Sequence, residues 1–245
     1  MHLTVRGLLV APLTALALLA GACTDDAPIR DGGVVAGAQA APAAAPPAAA
    51  PPAPASDERS PRQVVLHGID LTGVGYDKGS ATAPVVIVDF SDFGCPYCGK
   101  HAQETLPALE QEFIATGKVF YKYVPFVMGM FPNGDLAARA AECAADQGKF
   151  WPMHDRLYVA QRDWKRSRAP APLFQSYATG LGLDGARFAA CHADARTDSR
   201  TQQANDRARR LGVRATPTFF VNGESVEGAL PLDVFQRVLR EMTAQ

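Results

Sequence analysis

The sequence has almost no surplus of charge: 24 Lys and Arg stand against 25 Asp and Glu, a formal net charge of -1. That balance excludes the basic footprint that nucleic acid or an acidic lipid surface demands, so partners must be read from local chemistry. Histidine is scarce, and His67, His101, His154 and His192 form no close-spaced pair. Cysteine is scarce as well: Cys23, Cys95, Cys98, Cys143 and Cys191 are all there are. Zinc takes four ligands, and the single Cys-x-x-Cys has neither a second cysteine pair nor a histidine pair to complete them. No metal site and no cofactor is therefore expected.

What the first 60 or so residues lack is the material of a core. Arg6 is followed by the apolar run "GLLVAPLTALALLAGAC", whose length and flank read as a secretory leader over residues 1–22 rather than a permanent span. The small residues before Cys23 ("LAGAC") resemble the lipobox of bacterial lipoproteins, which implies cleavage there and lipid on Cys23. Ordinary signal cleavage or an uncleaved anchor are the alternatives. Residues 23–62 are rich in Ala and Pro, and "APAAAPPAAAPPAPA" contains nothing else. Proline at that density favours extended polyproline II, a semi-rigid tether reaching roughly 3 Å per residue; a plain disordered tail is the other reading. Residues 63–245 remain as one cored domain.

With Cys23 set aside, four cysteines allow two pairs in three connectivities. Outside the cytoplasm thiols are oxidised, which favours a Cys143–Cys191 disulfide over two idle buried thiols. Cys143 lies on a helical stripe with Leu136 and Ala140 in "DLAARAAECAADQG", and Cys191 follows Phe188 by one turn in "GARFAACHAD". Both are expected to face inward.

The remaining pair sits in "FGCPYCGK". Before it, "APVVIVDF" is a β-branched run suited to a strand buried on both faces. After it, Leu106, Leu109 and Phe113 have helical spacing, Gly117 is a plausible stop, and Pro96 fits a first helical turn. The dithiol thus falls between a strand and a helix N-terminus, where unpaired N–H groups and the helix dipole favour a thiolate. Cys95 is expected to be the attacking sulfur and Cys98, one turn in, the shielded resolving one. A structural disulfide in so tight a loop would be strained and easily reduced, which leaves redox work. Far downstream, "ATPTFFVNG" puts Thr216-Pro217 before an apolar strand and an Asn222-Gly223 hairpin turn.

Together, "VVIVDFSDFGCPYC", "QGKFWPMHDRLY" and "ATPTFFVNG" resemble the thioredoxin-fold disulfide oxidoreductases of the DsbA type, including membrane-tethered forms, over about residues 63 to 245. The resemblance implies an α/β thioredoxin fold with a central mixed sheet and a helical insertion at about 133–210. It also implies a cis Pro217 packed against the dithiol and backbone near Thr216 that pairs with substrate peptide. It aligns Asp89 and Lys122 with a buried acid and lysine beneath the dithiol. An unpaired charge in an apolar strand is costly, so mutual pairing or a proton-relay role is expected of the two; the alternative is a strand end in water. His101 reads as a solvated helix residue. Pro96-Tyr97 stands where the strongest oxidants of the family carry Pro-His, which leaves the direction of electron flow open.

These features point to a periplasmic or cell-envelope thiol–disulfide oxidoreductase, favouring oxidation of exported polypeptides and recharged by a membrane or thiol redox partner. The same fold run as a reductase or isomerase, or a non-catalytic peptide-binding lipoprotein, are the rival readings. Arg62 to Asp77 offers either a dimerisation segment or an extra edge strand.

Overall fold

The computed structural model describes residues 62–244. Residues 1–61, with Cys23, the expected leader and all but the last residue of the expected tether, lie outside the described residues. The first strands, β1 (Val65–Leu66) and β2 (Ile69–Asp70), pair antiparallel as a small separate ribbon. Next come β3 (Tyr76–Lys78) and β4 (Val85–Ser91). β4 is the expected apolar strand, and all but one of its residues are buried.

A continuous helical stretch follows: α1 (Pro96–Lys100), a π turn (His101–Thr105), α2 (Leu106–Leu109) and a second π turn (Glu110–Ile114). Pro107 has no N–H for the ladder, and the helix accommodates it by widening on both sides. Gly117, at φ 74°, supplies the left-handed residue that lets the chain turn into β5 (Val119–Pro125).

Helices then dominate: α3 (Gly134–Ala145), α4 (Phe150–Val159), α5 (Gln161–Arg166), α6 (Ala171–Gly180), α7 (Gly185–Ala193) and α8 (Asp198–Arg210). The chain returns through β6 (Thr218–Val221) and β7 (Glu224–Glu227) to α9 (Leu232–Thr243). Asn222 and Gly223 both have positive φ, 47° and 95°, as a two-residue hairpin of the right-handed twist requires. The five-stranded sheet has the order β3-β5-β4-β6-β7, with β4 and β5 parallel and the other pairs antiparallel. This is the expected central mixed sheet. Of the two roles open to Arg62–Asp77, the edge strand is the one observed, since β3 pairs with β5.

Strand alternation divides the core in two. Ile87, Tyr121, Tyr123, Phe219 and Val221 pack on one face against the dithiol helix, the inserted helices and α9. Val88, Phe90, Phe120, Val124 and Phe220 pack on the other with the β1–β2 ribbon and α8. Cys143 on α3 is bonded to Cys191 on α7, with Cα atoms 5.7 Å apart.

The alternation corrects the expectation for Lys122. It is paired in register with Val88, while Asp89 is paired with Tyr123, so lysine and acid project from opposite faces of the sheet. Lys122 is buried and instead meets Asp77, its cross-strand neighbour on β3, at 2.5 Å, with a further bond to the Val74 carbonyl at 3.0 Å. Its charge is compensated on the other face of the sheet.

Because Asp77 keeps 31% of its side chain in water and Lys122 only 1%, removing either partner has unequal cost. Asp77→Ala strands a buried ammonium and is expected to cost about 3 kcal/mol, whereas Lys122→Met keeps the packing and costs about 1 kcal/mol. Urea unfolding of the two variants checks this, and an equal or reversed order contradicts it.

Candidate active site

The end of β4 hands the chain to the helix through Asp92, Phe93 and Gly94. Cys95 caps that helix with extended backbone (φ -74°, ψ 124°), and Pro96 occupies the first helical position. Cys95 and Cys98 are both unpaired thiols, each almost wholly buried, while Tyr97 between them is 66% exposed. Across the site, the Thr216-Pro217 peptide is cis, and the Cys95 thiol donates to the Thr216 carbonyl oxygen at 3.3 Å. The structure therefore brings Cys95, Pro96, Tyr97, Cys98, Thr216 and Pro217 together although 121 positions separate Cys95 from Thr216.

The two sulfurs are driven apart in acidity. The Cys95 pKa falls to about 5, chiefly because the Cys98 thiol donates to it, with further help from Thr216 and from the N–H groups of Cys98 and Tyr97; burial opposes the shift. On ionisation the contact to the Thr216 carbonyl loses its proton, and these donors hold the charge. Cys98 moves the other way, raised well above the ordinary thiol value by burial first and by its partner's demand for its proton second. A low-pKa sulfur leaves and accepts charge easily; a high-pKa one keeps its proton until it is needed.

Asp89 lies on the dithiol face. Ser91 Oγ donates to its Oδ1 at 2.5 Å and Tyr121 donates to its Oδ2 at 2.6 Å. Burial raises its pKa to about 7 against these two bonds, and its charge in turn disfavours the Cys98 thiolate. The expected pairing with Lys122 is absent for the reason given above.

Four residues that hold the site were not anticipated. Asp92 accepts from Gly94 N at 2.8 Å and from Met128 N at 3.0 Å, tying the cysteine loop to the segment after β5. Burial raises its pKa to about 6. Gln161 donates to the carbonyls of Phe93 and Cys95 at 2.6 and 2.8 Å, and Lys165 donates to that of Gly94 at 2.5 Å. Gly94 leaves room for Phe131, whose Cβ a side chain there would strike. The fourth is His101. Expected in solvent, it is 2% exposed, because three residues past Cys98 it shares that buried helix face. A local Asx turn around Asp92 and the helical phase of His101 were visible signals; Gln161 and Lys165 left none.

A family model described as Thioredoxin matches residues 73–241. A Na(+)/H(+) antiporter NhaA 3 of Salinispora tropica is 41% identical over 153 residues, 62% of this chain but 22% of that protein. The chain thus spans about a fifth of the length of such relatives. A probable disulfide bond formation protein D of Bacillus anthracis is 28% identical over 151 residues, 59% of this chain and 68% of that protein. The oxidised crystal structure of BdbD from Bacillus subtilis superposes with a TM-score of 0.65 at 22% identity, covering 76% of this chain and 98% of that one. That likeness shows a thioredoxin fold. Among the described residues no helix is long and apolar enough to cross a membrane, and no group of three or more His, Cys, Asp or Glu is placed to hold a metal.

The acidity of Cys95 has a thermodynamic consequence. Its folded-state pKa is depressed, so the stabilisation is complete above the ordinary thiol value of 9.0, shrinks as pH falls, and is gone below about 5. The oxidised form lacks this contribution, and groups common to both forms, Asp89 and Asp92 included, largely cancel between them. The difference in thermal midpoint, reduced minus oxidised, is expected to rise between about pH 5 and pH 9. A pH-independent difference measured by calorimetry contradicts it.

Proposed function

The chain belongs to the thioredoxin family, and on that footing we propose that it is a cell-envelope thiol–disulfide oxidoreductase whose Cys95–Cys98 couple donates disulfides to exported proteins. The observation that carries the reading is the placement of Cys95 at a helix start across from the cis Thr216-Pro217 peptide, its thiol 3.3 Å from the Thr216 carbonyl, with Cys98 buried one turn on.

The reaction starts from the Cys95–Cys98 disulfide. A substrate thiolate attacks the Cys95 sulfur, forming a mixed disulfide and breaking the internal bond. The electron pair leaves on Cys98, whose high pKa makes it take up a proton; Asp89, buried on the same face with a pKa of about 7, supplies it. A second substrate thiolate then attacks the substrate sulfur of the mixed disulfide. The substrate disulfide forms and Cys95 departs as a thiolate that the donors around it stabilise. Two electrons have passed to the protein, and the low pKa of Cys95 favours this reduced end state. A membrane or thiol redox partner must then remove them.

Docking follows from the same surface. Substrate chain lies along the half-buried backbone at Thr216, and an open cavity of about 440 Å³ lined by Gly129 to Asn133 and Asp135 includes Phe131, which packs on Gly94 beside Cys95. We assign residues 1–22 to an export leader, lipid to Cys23, residues 23–62 to a tether and 63–245 to the catalytic domain, an arrangement that holds the dithiol away from a membrane. The leader sequence and the Cys143–Cys191 disulfide support an oxidising compartment.

Equilibration of the couple with glutathione tests the direction. Donation predicts a potential close to that of strong oxidants, roughly -120 mV, together with an oxidised Cys95 when thiols are trapped by alkylation in cells; a value near thioredoxin's, roughly -270 mV, assigns the fold to reduction. Cys95→Ser is expected to abolish exchange, and an unchanged phenotype would make the protein a binding module.

A further inference from the structure

Beneath the dithiol, on the side of Asp89 away from Ser91, lies a second hydrogen-bonded branch that the reaction above does not use. Tyr121 donates its hydroxyl proton to Asp89 Oδ2 at 2.6 Å, and His101 Nε2 lies 3.3 Å from that same hydroxyl oxygen. The tyrosine has one proton, and it is committed to the carboxylate. The contact from His101 is therefore attractive only if Nε2 carries a hydrogen and donates to the tyrosine oxygen. That tautomer leaves Nδ1 as a bare acceptor, and Nδ1 has no hydrogen-bond partner. The other tautomer would set two lone pairs against each other and bury an unpaired donor, the costlier arrangement.

Packing holds the ring in this position. His101 sits 4.6 Å from Phe219 and 5.5 Å from Phe235, centroid to centroid, and lies within 10° of the plane of Tyr121. Burial lowers its pKa to about 3, so it stays neutral across the working range and is not itself a proton carrier.

We propose that His101 is a positioning residue for proton transfer at the resolving cysteine: by donating to Tyr121 it fixes the tyrosine proton on Asp89 and favours the ionised carboxylate. This inference rests on the thiol–disulfide reading of the site and adds to it a group that sets when Asp89 gives or takes the Cys98 proton. The other ionisable groups facing Asp89 are Cys95 at the N-cap of α1, Cys98 on α1, Tyr123 on β5 and Tyr158 on α4; burial keeps the last three neutral, so burial of Asp89 itself and the Cys95 thiolate are what disfavour its charge. Tyr121 and Ser91 alone offset them, so the orientation of the tyrosine proton matters. Lys122 is on the opposite face and does not contribute.

The test is the carboxyl-carbon NMR titration of Asp89 in the reduced protein, with a parallel pH profile of glutathione exchange. His101→Phe keeps an aromatic ring and removes the donor; the Asp89 midpoint is expected to rise by about half a pH unit. His101→Gln, with an amide N–H at a similar reach, is expected to restore most of it. Tyr121→Phe raises the midpoint further, and adding His101→Phe to it changes nothing more, because histidine acts through the hydroxyl. Superimposable titrations of wild type and His101→Phe, or additive shifts in the double variant, overturn the proposal. If His101→Phe does not fold, His101→Leu takes its place: a midpoint above wild type and below that of Tyr121→Phe supports the proposal, and one equal to wild type overturns it. Failure of the wild type to exchange with glutathione at all would strike the oxidoreductase reading instead, and the Asp89 titration would still be read.

Discussion

A negative charge on the Cys95 sulfur is the feature around which the structure is arranged. The charge is nearly buried, and in such a place an anion survives only if donors replace the water it has lost. The protein supplies them from three directions: the thiol of Cys98, Thr216 across the site, and the backbone N–H groups of Tyr97 and Cys98 at the first helical turn. Each of those positions depends on other parts of the chain. Asp92 fixes the entry to the helix, Gln161 and Lys165 bind the carbonyls of residues 93 to 95, and β6 presents Thr216 and Pro217.

The first donor is also the second reactant, which explains the asymmetry of the pair. Holding a proton for Cys95 makes Cys98 a reluctant acid, so the step that ionises or releases it requires a proton carrier nearby. In the proposed reaction Asp89 fills that place, since burial brings its pKa to about 7. The sheet keeps this chemistry separate from the other buried charge. One residue of register places Lys122 on the far face, where it secures β3 through Asp77. In a strand with period-two alternation, a single position decides whether an ion pair tunes a reaction or only supports the fold.

How much of this could be read in advance follows the range of each interaction. The strand, the dithiol turn and the helix are consecutive, so local patterning identified them. Pro217 is remote, but Thr-Pro before an apolar strand became informative once paired with the dithiol. Asp89 was recognisable as a charge within an apolar run. Its partner was not, because the choice between Lys122 and Tyr121 depends on the relative register of two strands, and both residues lie in "FYKYVPF". Gln161 and Lys165 were invisible for a different reason: they bind backbone carbonyls 66 to 71 residues away, and a carbonyl carries no sequence signal. His101 was legible in principle, being three residues past an inward-facing cysteine on one helix, although a polar side chain there reads as solvent-facing. The π turns around Pro107 belong to the same class, since a proline reads as a helix break where the chain absorbed it by widening.

The direct test of the central claim is the ionisation of Cys95 itself, followed in the reduced protein by thiolate absorbance at the ultraviolet edge or by the pH dependence of its alkylation. The account predicts a midpoint near 5, and a midpoint that moves up when Cys98 is replaced by alanine. A midpoint near the ordinary thiol value of 9.0, or one indifferent to Cys98, would contradict it.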